Sequence, residues 1–376
     1  MATNNLPIVT VDQFCKIVEM QLNERNYRPI FGLGKGGIGK TESIASLAHD
    51  KLGIGYIDIR LLLYAETDLK GIPYPDKNHV STIWLQNDIL PRADRDGSQG
   101  ILVLDEITSV QRSVRTAAYQ LLNERRLGEY KLPDGWLVVC LGNGEDDGGD
   151  FQGMEGNFIN RCSVYNVIPD IDSWKAWASS HNINYLVTAY VSWQPSNLHT
   201  YNPESETDML FASPRSWKAV SDILNAHSFS NDDIIMHSRI MANLGTTIGN
   251  EFIAFCKFKD ASIEPADIVT GKVTGFNGSS TEVLLLTMQG VIKLVSDRTA
   301  RDVQNTMSVS EETVTYWINA VKWMLSLNSI EHKVMGIKDL IRANQNVASK
   351  LFLNPVFNAR CPELRSFVAA NAGVIS

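Results

Sequence analysis

The chain has 376 residues with 42 acidic and 34 basic side chains, which gives a formal net charge of -8 at pH 7. This length predicts two or three compact regions, since domains usually contain about 100–200 residues. The acidic balance argues against a surface built mainly to neutralise nucleic-acid phosphates, although net charge leaves a local basic pore open.

The five cysteines are scattered and have no C-x-x-C spacing. This pattern favours a reducing cytoplasm and argues against a disulfide framework or a structural zinc. No apolar run approaches the roughly 18–20 residues that cross a bilayer, and residues 1–14 lack the pattern of a signal peptide. We therefore expect a cytoplasmic protein without a membrane partner.

The first 168 residues alternate short apolar runs with amphipathic segments. Such runs are typical of strands buried on both faces of a parallel sheet, and the segments between them have helical spacing. The predicted elements are a helix over 10–24, a strand at 30–31, a helix over 40–52, strands over 53–61 and 101–105, a helix over 114–127 and a strand over 136–141. This alternation predicts an α/β doubly wound sheet.

The chain becomes helical and rich in tryptophan after Pro169. Helices are predicted over 171–180, 183–190, 216–225 and 235–256, and a stretch rich in glycine, serine and threonine over 269–281 predicts a linker. We expect five parts: an N-terminal helical segment (1–27), an α/β domain (28–168), a helical domain (169–268), the linker (269–281) and a C-terminal helical region (282–376).

The segment GKGGIGKT at residues 34–41 fits the phosphate-loop pattern G-x-x-x-x-G-K-[ST]. Glycines allow the backbone N–H groups of such a loop to turn towards a phosphate, and the following helix dipole favours the same anion. Lys40 is predicted to reach the β- and γ-phosphates of ATP, and the Thr41 hydroxyl to bind Mg²⁺. The predicted nucleotide contacts are Gly34, Gly36, Gly37, Ile38, Gly39, Lys40, Thr41 and Glu42.

Polar residues follow two later strands at the point where each strand ends. Asp105 and Glu106 close the run ILVLDE, which suggests a metal-binding acid followed by a base that polarises an attacking water. Asn143 closes the next strand, and since the carboxyl ends of parallel strands share one edge, it should lie beside Glu106.

Two arginines are candidate phosphate contacts. Arg161 could reach a nucleotide bound to a neighbouring copy of the chain, as an arginine finger, and Arg125 or Arg126 could share that role. Arg215 follows Ser213-Pro214 near a predicted helix start, where a cation opposes the helix dipole unless an anion is close. Arg215 is therefore a candidate sensor of the γ-phosphate.

The phosphate loop, LVLDE, GN, NR and SPRSW, in this order, resemble an AAA+ ATPase of the MoxR-like group. Further segments that resemble the group are DLKGIPYPD, NDILP, LLNERRLGEYKLPDGW and PDIDSWKAW. The resemblance spans roughly residues 28–260 and implies that 28–168 binds nucleotide and that 169–268 forms a helical lid. It implies Asp105 and Glu106 as the Walker B pair, Asn143 as sensor 1, Arg161 as the trans finger and Arg215 as sensor 2.

The resemblance also implies a homo-oligomeric ring, commonly a hexamer, with nucleotide between subunits. It implies chaperone-like remodelling of a protein client, with a von Willebrand factor A domain protein as a frequent partner. The loop departs from the family, because GKGGIGKT also fits the deviant Walker loop of ParA and MinD partition ATPases, in which the residue matching Lys35 contacts phosphate across a dimer. A nucleic-acid-associated AAA+ motor or loader and a slow nucleotide-gated scaffold remain as alternatives, with nucleic acid not favoured.

Overall fold

The computed structural model describes residues 6–78, 80–85, 88–144, 159–202, 210–278, 280–306, 308–371 and 373. Two compact units divide the chain. The first comprises Met1–Asp170 with Asn202–Glu206, and the second comprises Ile171–Tyr201 with Thr207–Ser376. Among the described residues, no helix is both long enough and apolar enough to cross a membrane.

The first unit is built on a six-stranded parallel sheet, with two short antiparallel hairpins beside it. Its strands are β1 (Ile8–Thr10), β2 (Ile30–Leu33), β3 (Gly55–Arg60), β4 (Ile72–Pro75), β5 (Thr82–Leu85), β6 (Gln99–Asp105), β7 (Arg126–Leu127), β8 (Tyr130–Lys131), β9 (Gly135–Gly142) and β10 (Ser163–Ile168). The strand order in the main sheet is β1-β10-β2-β9-β6-β3. Its helices are α1 (Val11–Asn23), α2 (Lys40–Ser46, continued as a π-helical turn over Leu47–Leu52), α3 (Glu66–Lys70), α4 (Ala93–Asp96) and α5 (Arg112–Glu124).

Both faces of this sheet are covered by helices. Ile101 and Val103 of β6 belong to a buried cluster that includes apolar side chains of α1 and α2. Leu102 and Leu104 belong to a second cluster, which includes side chains of α3 and α5. Successive residues of one strand thus pack against opposite layers, which explains why the run is apolar throughout. The predicted α/β class, a parallel sheet with helices on both faces, is confirmed.

Register brings three chain segments to the same edge of the sheet. Leu33 at the end of β2 is paired with Gly142 at the end of β9, and Leu104 of β6 is paired with Cys140 of β9. The residues that follow these strands therefore meet at one edge. The backbone there is close-packed, because a Cβ added at Gly34 would lie 2.1 Å from the carbonyl oxygen of Val167.

The N-terminal segment and the helix predicted over 114–127 differ from expectation. Residues 8–10 form β1, which pairs with β10, so the segment contributes a strand as well as its helix. Helix α5 ends at Glu124 because Arg125 adopts a left-handed conformation, with φ of 53°. The chain then forms the β7–β8 hairpin, which a helical reading of the sequence did not anticipate.

The second unit is helical within the described residues. Its helices are α6 (Ile171–Ser180), α7 (Tyr185–Trp193), α8 (Pro214–Ala226), α9 (Ile234–Leu244), α10 (Thr246–Cys256), α11 (Pro265–Val269), α12 (Thr281–Thr306), α13 (Glu311–Leu325), α14 (Ile330–Arg342), α15 (Gln345–Phe352), α16 (Pro355–Arg360) and α17 (Pro362–Ala370). The helical C-terminal region is confirmed. The five-part division of the chain stays a prediction.

Two stretches of the second unit differ from their sequence predictions. The single helix predicted over 235–256 is split at Gly245, whose φ of 80° and ψ of 162° interrupt the helical backbone. The stretch predicted as a linker over 269–281 packs against the helices, because Phe276 lies edge-on to Trp323 with ring centroids 6.4 Å apart. The prediction followed the many small polar residues of this stretch and missed two apolar side chains, Val273 and Phe276, which pack against the helical core.

The β4–β5 hairpin is apolar yet exposed. All residues of both strands are solvent-exposed, and Ile72 and Leu85 keep 64% and 53% of their surface accessible. Pro73 and Pro75 lie on β4 and lack the N–H group that a further strand would need. Exposed apolar surface of this kind marks contact sites for other macromolecules.

Helix α6 is tied to α14 by a buried ion pair. Lys175 Nζ lies 2.5 Å from Asp339 Oδ2, with side chains only 9% and 7% exposed, and Gln289 donates a second hydrogen bond to the same oxygen.

A second group of ion pairs joins the same two helices at Asp172. Arg342 and Lys338 lower the pKa of the Asp172 carboxyl to about 2. Because this folded-state pKa is depressed, the Asp172 contribution to stability is present at neutral pH and is lost as the pH falls from about 4 towards 2.

Lys175→Met is expected to lower the free energy of unfolding by about 3–5 kcal/mol, because it leaves the Asp339 carboxylate buried with Gln289 as its remaining partner. Urea denaturation followed by tryptophan fluorescence measures this cost. Lys218→Met is the matched control, since Lys218 pairs with Asp222 at an exposed surface, and it should cost at most about 1 kcal/mol. Equal costs for the two variants would contradict the role of the buried pair.

Candidate phosphate-binding site

The predicted phosphate loop joins a buried strand to a helix, as its sequence implies. All four residues of β2 are buried, and α2 begins at Lys40. Gly37 and Gly39 adopt positive φ angles of 76° and 92°, which residues with a Cβ rarely adopt. Gly34 donates its N–H to the carbonyl of Gly142 at 3.2 Å, which fixes the start of the loop to the end of β9. The loop is therefore anchored at both ends.

The Lys40 side chain is folded into the loop. Its ammonium group donates to the carbonyl oxygens of Gly34 and Lys35, at 2.6 and 2.9 Å, and the residue is only 8% exposed. A buried cation that lies beside a glycine loop at a helix N-terminus is suited to an anion with several oxygens. The loop thus holds the charge that a polyphosphate requires.

Thr41 and Asp105 come together from opposite ends of the predicted motif set. The Thr41 hydroxyl donates a hydrogen bond to Oδ2 of Asp105 at 2.8 Å, across 64 positions of sequence. A hydroxyl and a carboxylate oxygen at one point are the hard donors that Mg²⁺ prefers alongside phosphate oxygens. These two residues therefore fit a Mg²⁺ ion bound with a nucleotide.

Glu106 adopts a strained backbone conformation. Its φ is 60°, and its N–H donates to Oδ1 of Asp105 at 2.8 Å. A left-handed conformation costs a residue with a side chain about 1–2 kcal/mol, and such strain gathers at functional sites. The bend follows directly after Asp105, the metal-binding candidate at the end of β6.

Asn143 lies next to the phosphate loop, as the shared sheet edge predicts. A Cβ added at Gly36 would lie 3.9 Å from Nδ2 of Asn143. The Asn143 N–H donates to Oγ1 of the buried Thr108 at 3.2 Å, and a Cβ added at Gly142 would lie 2.6 Å from the Thr108 methyl group. Thr108 therefore positions the end of β9, a role that its place in the sequence did not reveal.

Asp58 is a further carboxylate at this site that sequence reasoning missed. It lies on β3 opposite Val103, which places it on the sheet face that α2 covers. Burial, followed by the charge of Asp105 and partly offset by Arg60, raises its pKa to about 6. The signal in the sequence was an acidic residue inside the apolar run GYIDIR.

Arg161 lies at the opposite edge of the sheet from the phosphate loop. It precedes β10, whose first residue Ser163 pairs with Ile30 at the start of β2. At about 3.3 Å per residue, Ser163 lies roughly 10 Å from the level of Leu33, and Arg161 precedes Ser163 in the turn before the strand. Arg161 is exposed, and Arg28 steadies its turn by donating to the carbonyl oxygens of Asn160 and Cys162 at 2.7 and 3.2 Å.

The other arginines differ in how they are engaged. Arg125 donates to the carbonyl oxygens of Pro133 and Trp136, at 2.8 and 2.7 Å, so it holds the hairpin region together. Arg126 is exposed. Arg215 is exposed on the first turn of α8, after the capping residue Ser213.

Residues 145–158, between Asn143 and the turn that carries Arg161, lie outside the described residues. The roles of Arg161 and Arg215 stay predictions.

Comparison with known proteins identifies no family. No family model matches the chain, and no curated protein matches it. A solved structure from Cytophaga hutchinsonii, named as a candidate ATPase, is 15% identical, covers 92% of this chain and 90% of its own, and has a TM-score of 0.33. The branch migration motor RuvB of Thermotoga maritima is 11% identical, covers 78% and 75% of the two chains, and has a TM-score of 0.31.

A full-length MCM homologue from Methanopyrus kandleri is 18% identical, covers 41% of this chain and 33% of its own, and has a TM-score of 0.30. With TM-scores this low, these likenesses carry no argument.

Glu106→Gly is expected to leave the free energy of unfolding within about 1 kcal/mol of the unaltered protein, or to raise it. Glycine relieves the left-handed strain at this position, which offsets its entropic cost. Glu124→Gly is the matched control, because Glu124 has a helical backbone at the end of α5, and it should lower stability by about 0.5–1 kcal/mol. Chemical denaturation measures both. A larger loss for Glu106→Gly than for the control would show that position 106 is not strained.

Proposed function

We propose that this chain is an ATP hydrolase of the AAA+ type, similar to the MoxR-like group, that works as a ring of identical subunits. The hydrogen bond between Thr41 and Asp105 carries the proposal. It joins the residue after the phosphate-binding lysine to the acid that ends a central strand, which is the arrangement needed to bind Mg²⁺ with ATP.

The residues around this pair supply the remaining parts of phosphoryl transfer. Lys40 and the loop N–H groups bind the polyphosphate, and bound Mg²⁺ supplies neutralisation of charge on its oxygens. Glu106 orients and polarises the attacking water, and Asn143 fixes that water beside the γ-phosphate. The strained backbone at Glu106 and the Thr108 contact at Asn143 support these roles, because they fix the backbone where β6 and β9 end.

The position of Arg161 supports action between subunits. Arg161 is exposed at the sheet edge opposite the phosphate loop, farther from its own loop than one arginine side chain extends. A neighbouring copy that presents its phosphate loop to this edge would receive Arg161 as an arginine finger. Such head-to-tail contacts close into a ring when the rotation permits, and a hexamer is the arrangement we propose.

Arg215 would contact the γ-phosphate from the helical lid and so couple hydrolysis to lid movement. The output we propose is chaperone-like remodelling of a protein client, with a von Willebrand factor A domain protein as a candidate partner. The exposed apolar hairpin β4–β5 supports a protein client, since a surface of this kind suits contact with another polypeptide.

Lys40→Ala and Glu106→Gln should separate binding from hydrolysis. Lys40→Ala removes the buried cation, so calorimetry should show ATP binding lost. Glu106→Gln keeps the loop but removes the base, so it should bind ATP with Mg²⁺ and release phosphate at least about 10²-fold more slowly. Unchanged affinity in Lys40→Ala would contradict the site, and full activity in Glu106→Gln would assign the base elsewhere.

Arg161→Ala should lower turnover by about 10³–10⁵-fold while leaving ATP affinity nearly unchanged, because the arginine acts on a neighbour's nucleotide. Arg239→Ala, at an exposed position of α9, is the matched control and should hydrolyse normally.

Mixing Arg161→Ala with Lys40→Ala should restore part of the activity, since some interfaces then combine an intact loop with an intact finger. An inactive mixture of two variants that still assemble together would rule out the trans role.

The alternative function, a motor that acts on nucleic acid, is tested by measuring ATPase activity with and without nucleic acid at several salt concentrations. A nucleic-acid motor would show stimulation of its ATPase activity by nucleic acid, and this stimulation would fall steeply with salt.

A further inference from the structure

One carboxylate oxygen of Asp58 is not satisfied by any residue in the described part of the chain. Its Oδ1 atom is buried and has no hydrogen-bond partner among the residues that the structure describes, and Arg60 Nε lies 3.9 Å from its other oxygen. A buried carboxylate oxygen without a partner destabilises the folded state by roughly 1–3 kcal/mol or more. Such an atom is a candidate contact for a bound water or ion.

The position of Asp58 points to which ligand this is. Asp58 lies on the sheet face that α2 covers, and Arg60, two residues later on β3, is paired with Asp105 on the neighbouring strand β6. Tyr56, two residues earlier on the same face, has its hydroxyl 3.5 Å from the carbonyl oxygen of Thr41. Asp58 therefore lies one step along β3 from the Thr41–Asp105 pair. The carboxylates of Asp105, Glu42 and Glu106 all repel its charge.

We propose that Asp58 is a positioning residue for Mg²⁺, supplying a second carboxylate to the hydrated ion held by Thr41 and Asp105. This inference rests on the proposed nucleotide site and assigns that site one more residue. Mg²⁺ keeps several of its waters when it binds with nucleotide, and those waters are donors that a carboxylate oxygen accepts. A hydrated cation would satisfy Oδ1 and offset the repulsion among the acids.

A purely structural role for Asp58 makes a different prediction. If Asp58 served to pair with Arg60, then removing either partner would have the same effect. The separation of 3.9 Å and the 60% exposure of the Arg60 side chain make that pair weak. Arg60→Gln is therefore the matched control, since it alters the partner and leaves the carboxylate in place.

The experiment is a calorimetric titration of Mg²⁺ into protein saturated with a non-hydrolysable ATP analogue, with EDTA-treated samples giving the metal-free nucleotide affinity. Asp58→Asn should weaken Mg²⁺ binding by about 10–100-fold, as is usual when a group supporting a metal site is lost. Its metal-free nucleotide affinity should stay unchanged. Arg60→Gln should bind Mg²⁺ as the unaltered protein does.

Stability provides a second readout that does not depend on catalysis. Without metal and nucleotide, Asp58→Asn should be at least as stable to urea as the unaltered protein, because it removes a repelled carboxylate. Asp58→Ser provides a smaller variant, so the test holds if Asn does not fold. Unchanged Mg²⁺ affinity in either folded variant overturns the inference, and so does a loss in Arg60→Gln equal to that in Asp58→Asn. Failure of the unaltered protein to bind nucleotide would instead overturn the proposed function.

Discussion

The alignment of parallel strand ends is the constraint on which this site depends. Because Leu33 pairs with Gly142 and Leu104 pairs with Cys140, the loop after β2, the acids after β6 and the amide after β9 share one edge. A shift of one residue in any pairing would turn those side chains to the other face of the sheet. The close contacts at Gly34 and Gly142 permit no bulkier residue there, so the register and the site support each other.

Charge at this edge is unevenly compensated within the protein. Lys40 is held by carbonyl oxygens of its own loop. Asp58, by contrast, has an oxygen to which no described residue donates a hydrogen bond, and its pKa is raised to about 6. A polyphosphate and a divalent cation that arrive together would satisfy both halves of this arrangement. The folded chain therefore contains backbone strain at Glu106 and repulsion between carboxylates at Asp58. Ligand binding would offset this cost, and such strain is common at functional sites.

The two edges of the sheet, where its strands begin and where they end, present different functional groups. One edge has the loop and the acids, and the other has the exposed Arg161 on a turn that Arg28 holds. In the second unit, the buried ion pair Lys175–Asp339 and the partly exposed pair Arg342–Asp172 connect α6 with α14, and so join the segment predicted as a lid to the C-terminal region. Those helices therefore pack as one body, and the C-terminal region braces the helix that opens the unit.

The sequence by itself determined the elements that local pattern encodes: the phosphate loop with its strand and helix, the buried strands, the α/β class and the helical second half. It also predicted that Asp105 and Asn143 lie at the same sheet edge as the loop, because the carboxyl ends of parallel strands share one edge. Only the tertiary structure decided the rest. The left-handed Arg125 ended a helix that periodicity would have continued, Gly245 divided another, and Phe276 anchored a stretch that composition had marked as a linker. The acid inside GYIDIR could be read from the sequence, but the unsatisfied oxygen of Asp58 could not, since it is a property of packing and not of residue type.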